Sequence, residues 1–248
     1  MNAEAPKEQE FTTVPVDLKG RKICLAFPSP DTINVAFHHS LIQMITNTAP
    51  VVPLGLTNSA SSRIAKNRIE IVKNARLMGA TDILYMDADS VFPVHALITL
   101  LVHNKDIVCA TTCRRKGNDR SAIAAVVDPK DIVPGQRMAK LKQVGFPFML
   151  VKLSVFDKLD ELGVAPDHTY FAEPPRWMVN KFLGWDLPGD DVLLGEDEYF
   201  CQLVLRAGFD IWCDLGLSME IGHIGTDVFY IQNSPQPPAP ARIDESLA

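Results

Sequence analysis

Residues 81–93 read Thr-Asp-Ile-Leu-Tyr-Met-Asp-Ala-Asp-Ser-Val-Phe-Pro, and the fold turns on them. Ile83-Leu84-Tyr85-Met86 is apolar, rich in β-formers and too short for a helix, so it reads as a buried strand. Asp87 and Asp89 follow at once. Alternate residues of an extended chain share a face, so both carboxylates are expected at one site just past the strand's carboxyl end, where open α/β sheets bind ligands. Neighbouring acids repel, and a divalent cation shared with a phosphate turns that repulsion into binding. The other reading is a pair of loop acids capping the next helix.

Outward from this stretch, an apolar helix is expected at 94–103. On the other side, Asn58-Ser59-Ala60-Ser61-Ser62 supplies N-cap chemistry for a helix that ends at Gly79, with Ile64, Ile71, Ala75 and Met78 as its buried stripe. Residues 23–27 read as the first strand, stopped by Pro28-Ser29-Pro30. Residues 33–47 carry Ile33, Phe37, Leu41, Met44 and Ile45 at helical spacing, with His38 and His39 as partly solvated neighbours, and residues 51–54 read as a short strand. Downstream, 106–112, 122–127 and 146–152 read as strands, and Ser154 with Asp157 as a capping pair for a helix closed by Gly163. Pro147 stands in the last of these strands, although a proline cannot complete a ladder. This alternation implies one Rossmann-like α/β domain over residues 21–230, a mainly parallel central sheet flanked by helices, with a flexible leader at 1–20 and a Pro-rich tail at 231–248.

Composition narrows the class. The chain has 248 residues, 47% of them hydrophobic, which is ample for a core, and a net charge of −6 that argues against indiscriminate nucleic-acid binding. Five scattered cysteines without a Cys-x-x-Cys pair suggest neither a disulfide framework nor a zinc knuckle, and fit a reducing cytosol. The acidic N-terminus is unlike a signal peptide, and no apolar run approaches the roughly 18–20 residues that span a bilayer. Between residues 114 and 142 eight Lys or Arg stand against three acids, which reads either as a solvated loop or as a groove for a phosphate-bearing ligand. Residues 166–189 hold Tyr170, Phe171, Trp177 and Trp185 among prolines, and read either as an acceptor-binding lid or as a loop folded onto the core.

Strand, Asp-x-Asp, Phe-Pro and apolar helix together resemble the GT-A glycosyltransferases. A second block matches the same family: Gly195-Glu196-Asp197 before a helix, Ala207-Gly208-Phe209, Ile211-Trp212-Cys213-Asp214, then Gly222-His223-Ile224-Gly225. The resemblance covers roughly residues 21–226 and implies a metal-dependent enzyme that moves a sugar from a nucleotide-sugar to an acceptor hydroxyl. It implies metal ligands at Asp87, Asp89 and His223, with Mn²⁺ favoured over Mg²⁺ by the imidazole. It implies a catalytic base at Asp197, with Glu196 second, if the enzyme inverts. Donor contacts are implied at Pro28, Ser29, Asp31, Asn67, Arg68, Asp87 and Ala88, with a UDP-sugar ahead of a GDP-sugar, although Asn67-Arg68 reverses the family's Arg-Asn order and a solvated helix face is the competing reading. An acidic glycan, a phosphorylated small molecule and a modified nucleic-acid base stay open as acceptors. Two rivals remain: a non-catalytic nucleotide- or glycan-binding module, and a sugar nucleotidyltransferase, against which the absence of glycine from residues 21–35 counts.

Overall fold

The computed structural model describes residues 18–28, 32–61, 63–114, 122–126, 136–189, 191–225 and 227–231. The chain opens with β1 (Ile23–Pro28), α1 (Val35–Thr48), β2 (Leu54–Ser59), α2 (Ile64–Leu77) and β3 (Asp82–Met86). It continues with β4 (Ser90–Val91), α3 (Ala96–His103), β5 (Ile107–Ala110), β6 (Ala124–Val126), β7 (Met138–Val144), β8 (Phe148–Lys152) and α4 (Leu153–Glu161). After a 3₁₀ turn at Pro166–His168 come α5 (Arg176–Leu183), α6 (Glu196–Arg206), β9 (Ile211–Asp214), α7 (Leu215–Ser218), β10 (Gly222–Ile224) and β11 (Val228–Phe229).

An eight-stranded sheet in the order β2-β1-β3-β8-β5-β9-β7-β6 forms the centre, beside a three-stranded sheet β11-β10-β4. Strands β2, β1, β3, β5, β9 and β6 run one way, while β8 and β7 run against them. The sheet is therefore mainly parallel in direction, with β8 inserted antiparallel between β3 and β5.

Both faces are covered, which is why the central strands read as unbroken apolar runs. Cys24, Ala26, Ile83, Tyr85, Ile107, Cys109, Met149 and Val151 point into one core with residues of α2, α4 and α6. Their alternates, Ile23, Leu25, Leu84, Met86, Val108, Ala110, Phe148 and Leu150, point into the other with residues of α1 and α3. Among the described residues no helix is long and apolar enough to cross a membrane.

Several local expectations shift. Residues 51–53 precede β2, which continues to Ser59, so Arg63 and not a residue of 58–62 takes the N-cap of α2, without a side-chain cap. Ser154 and Asp157 do not cap α4; Lys152 is its N-cap residue, and Asp157 bonds Arg76 at 2.8 Å. Pro147 lies before β8 and needs no ladder partner for its nitrogen. Part of the basic stretch 114–142 is strand β7, whose Ala139, Leu141 and Val144 are buried while Lys140 and Lys142 are exposed. Tyr170, Phe171 and Trp185 are buried, so this part of 166–189 is folded onto the core, whereas Trp177 is 42% exposed.

One carboxylate knots the far half of the sheet. Asp214, fully buried at the end of β9, accepts from the backbone N–H of Leu217 at 2.8 Å, Arg137 Nε at 2.9 Å and His103 Nε2 at 2.7 Å. Burial pushes its pKa up, but these bonds outweigh it and hold the carboxyl below its ordinary value. The stability it supplies is therefore present above about pH 4 and lost as pH falls below. We expect Asp214→Ala to lower stability at pH 7 by about 2–4 kcal/mol, with the deficit narrowing in acid. Denaturant melts at pH 7 and pH 3 check both parts.

Candidate functional site

The two acids of the opening motif have different partners. The backbone N–H of Ser90 donates to the Asp87 carbonyl at 3.0 Å, which closes a turn over residues 87–90 directly after β3. Asp87 turns towards α2, and Asp89 towards β10.

His223 meets Asp89 because of the small sheet. β10 pairs antiparallel with β4, with His223 opposite Ser90, and the N–H of Ile224 donates to the Asp89 carbonyl at 2.7 Å. Gly222 makes this approach possible, since a Cβ there would lie 2.6 Å from side chains of both Val91 and Val228. His223 Nδ1 lies 2.8 Å from the carbonyl oxygen of Cys113. A carbonyl only accepts, so Nδ1 carries a proton, and Nε2 is the ring nitrogen turned towards Asp89. Nε2 faces Asp89 Oδ2 at 3.4 Å. Among the described residues no three His, Cys, Asp or Glu side chains gather as a metal-holding group, so Asp87 does not join this pair.

Arg68 organises the other side. It is 2% exposed, so the solvated-face reading of this part of α2 is overturned: Arg68 lies at the position that meets the core one turn before Ile71 and Val72. Its guanidinium donates to Glu196 Oε1 at 2.6 Å and Asp87 Oδ1 at 3.3 Å, and stacks 4.3 Å above the Phe146 ring. Neighbouring Asn67 is also buried; it accepts from Ser59 Oγ at 3.1 Å and donates to the Ser61 carbonyl at 3.0 Å, tying α2 to the loop before it. Burial raises the Asp87 carboxyl to about 6; Arg68 lowers it, while the like charges of Asp89 and Glu196 add to the rise. The Asp87 side chain keeps 30% of its surface open, so it is not sealed in the core.

Asp197 stands apart from Glu196 although the two are adjacent. Its Oδ1 accepts from the N–H of Glu198 at 2.7 Å in the first turn of α6, where the helix dipole favours an acid. Gly195 lets the carboxylate fold back, since a Cβ there would sit 2.7 Å from Asp197 Oδ1. Asp197 also lines a cavity of about 210 Å³ with Arg114, Gln143 and Gly145. Pro28 ends β1 opposite Ser59 and at the sheet edge from which the 87–90 turn emerges. Half-buried Ala88 lies within that turn, while Ser29, Asp31 and residues 115–121 and 127–135 of the basic stretch fall outside the described residues. Sequence reasoning missed the Cys113 carbonyl and Phe146, which sequence-distant strands bring to the site and no local pattern marks.

No family model matches the chain, and no curated protein matches it in sequence. Among solved structures, A197 from STIV is similar over 90% of this chain and 100% of its own, at 14% identity and a TM-score of 0.49. A mutant Drosophila β1,4-galactosyltransferase 7 in complex with manganese, UDP-Gal and xylobiose is similar over 86% of this chain and 71% of its own, at 13% identity and a TM-score of 0.46. A UDP-glucose pyrophosphorylase complexed with UDP-glucose is similar over 79% and 90%, at 8% identity and a TM-score of 0.41. Likenesses this distant say nothing about chemistry, which has to come from the residues themselves.

The raised Asp87 carboxyl has a sign that can be checked. Its fold-stabilising contribution is complete below the unfolded value near pH 4 and lost as pH rises through about 6, so the charged form works against folding at neutral pH. The stability of Asp87→Asn relative to the parent is expected to rise by roughly 1–2 kcal/mol between pH 4 and pH 8, set against the cost of the lost bond to Arg68 at both pH values. Thermal melts at the two pH values test this.

Proposed function

We propose that this chain is a metal-dependent glycosyltransferase that takes a nucleotide-sugar as donor. The observation that carries the reading is the approach of His223 Nε2 to Asp89 Oδ2, 3.4 Å apart, with the far ring nitrogen fixed on the Cys113 carbonyl. Donors about 2.1 Å from one small divalent ion stand about this far apart, and a backbone partner on the second ring nitrogen is the usual support of a ligating histidine. The residues present thus fit a cation, Mn²⁺ ahead of Mg²⁺, held by Asp89 and His223. Such an ion supplies Lewis acidity to a donor diphosphate at the carboxyl end of β3.

The chain's own groups divide the remaining work. Asp197, on the wall of the cavity, takes the proton from the acceptor hydroxyl in an inverting transfer. Glu196 is the weaker candidate for that role because its Oε1 is held by the buried Arg68. Arg114 on the same cavity wall supports an acceptor that carries negative charge. Five buried free cysteines support a cytosolic setting.

Titration of a nucleoside diphosphate into the chain with and without Mn²⁺ tests the assignment. Asp89→Ala and His223→Ala should each abolish the Mn²⁺-dependent tightening without loss of fold. Asp197→Asn should keep nucleotide affinity and cut turnover by about 10²–10⁴. Metal-independent binding unchanged in both ligand variants contradicts the reading and leaves an imidazolium–carboxylate pair at Asp89 and His223. Donor binding without release of nucleoside diphosphate identifies a binding module instead, and formation of pyrophosphate identifies a nucleotidyltransferase.

A further inference from the structure

The site holds four acids in two pairs, Asp87 with Asp89 and Glu196 with Asp197. In each pair the first acid bonds Arg68, and the second does not: Asp89 meets His223, and Asp197 lines the cavity. We propose that Arg68 is the positioning residue of the site, a buried internal cation that turns Asp87 and Glu196 inward and so reserves Asp89 for the metal and Asp197 for the acceptor. This rests on the glycosyltransferase reading above and assigns Arg68 a role other than contact with a nucleotide.

Three observations support it. First, the guanidinium cannot reach outward. Arg68 is 2% exposed, packed over Phe146 at 4.3 Å, and its Nε has no hydrogen-bond partner among the described residues. A buried cation must be paired, and Glu196 and Asp87 are the acids it meets. Second, the pairing crosses the fold. Arg68 comes from α2, Asp87 from the end of β3 and Glu196 from the first turn of α6, so the cation fixes the distance between the two motifs. Third, the support beneath it is stiff. Phe146 packs edge-on against Tyr85 at 5.5 Å, Phe171 at 5.6 Å and Phe200 at 5.2 Å, so the ring that carries the guanidinium is itself held from three elements.

With Arg68 in place, its single positive charge offsets one of the two negative charges of Asp87 and Glu196 and holds both carboxylates inward, so they add little to cation binding in the free chain. Without it, a carboxylate one residue removed from Asp89 is released towards the same space, and the charge around the cation becomes more negative. A residue with a merely structural role would, on removal, weaken Mn²⁺ binding or leave it unchanged. Arg68 as positioned here predicts the opposite sign.

The test is titration of Mn²⁺ alone into the full chain at pH 8, following the free ion by electron paramagnetic resonance, with circular dichroism to confirm folding of each variant. Asp89→Asn is expected to weaken Mn²⁺ binding by about 100-fold or more, and Asp87→Asn and Glu196→Gln each by less than about 10-fold. Arg68→Gln is expected to tighten it by about 10-fold, and Asp87→Asn added to Arg68→Gln should remove the gain. Weakening by Asp87→Asn as great as by Asp89→Asn overturns the proposal while the cation site stands. Weakening by Arg68→Gln overturns it as well. If neither Asp89→Asn nor His223→Ala alters Mn²⁺ binding, the cation reading itself fails, and the proposal falls with it. Should Arg68→Gln not fold, the comparison of Asp87→Asn with Asp89→Asn decides alone, because both keep Arg68.

Discussion

A guanidinium buried beneath the acidic turn after β3 sets the terms for everything around it. An arginine with 2% of its surface exposed has given up its hydration, and only paired carboxylates and an aromatic face make that tolerable. Arg68 has both, in Glu196, Asp87 and Phe146. Each partner belongs to a different part of the chain, so the cation works as a tie between α2, the end of β3 and the start of α6. A buried pair of this kind adds modestly to stability, because desolvation offsets most of the attraction. Its stronger effect is on specificity of arrangement, since removal of one partner leaves an uncompensated charge.

The sheet explains why the tie falls where it does. β8 runs antiparallel between β3 and β5, so its entry segment, Phe146 and Pro147, arrives at the very edge where β3 ends. The Pro147 carbonyl accepts from the Asp87 N–H at 3.2 Å and holds the start of the acidic turn. On the other side of that turn, β4 starts the three-stranded sheet, and its pairing with β10 delivers His223 to Asp89. One turn of four residues thus gives its two acids different partners, one a cation built into the protein and the other His223. The rise of the Asp87 carboxyl to about 6 follows from this crowding, chiefly burial, since Arg68 offsets only part of it.

Local pattern carried the framework and long-range pairing carried the site. The apolar runs at 23–27, 83–86, 107–110 and 148–151 were legible because strands covered on both faces leave no polar positions. Helix α6 and its acidic first turn were legible from the acids and the closing Gly208. Strand β7 was hidden by its charge, although Met138-Ala139-Lys140-Leu141-Lys142 alternates as a half-buried strand should. That Asp87 and Asp89 lie in a turn and meet different partners was not legible, because a turn and an extended strand fit the same residues. Nor was the burial of Arg68: no local feature of α2 shows that an acid 128 residues later waits for it. The resemblance set His223 and Asp89 at one site, and the structure places the two side chains 3.4 Å apart.

The central claim is that a cation belongs between Asp89 and His223 and not between the acids that Arg68 holds. Anomalous diffraction at the manganese edge, from crystals soaked in Mn²⁺, locates the ion directly. The account predicts one peak about 2.1 Å from both Asp89 Oδ2 and His223 Nε2, with Arg68 still bonded to Asp87 and Glu196. A peak bound by Asp87 and Glu196 with Arg68 displaced, or no peak at Asp89 at saturating Mn²⁺, would contradict it.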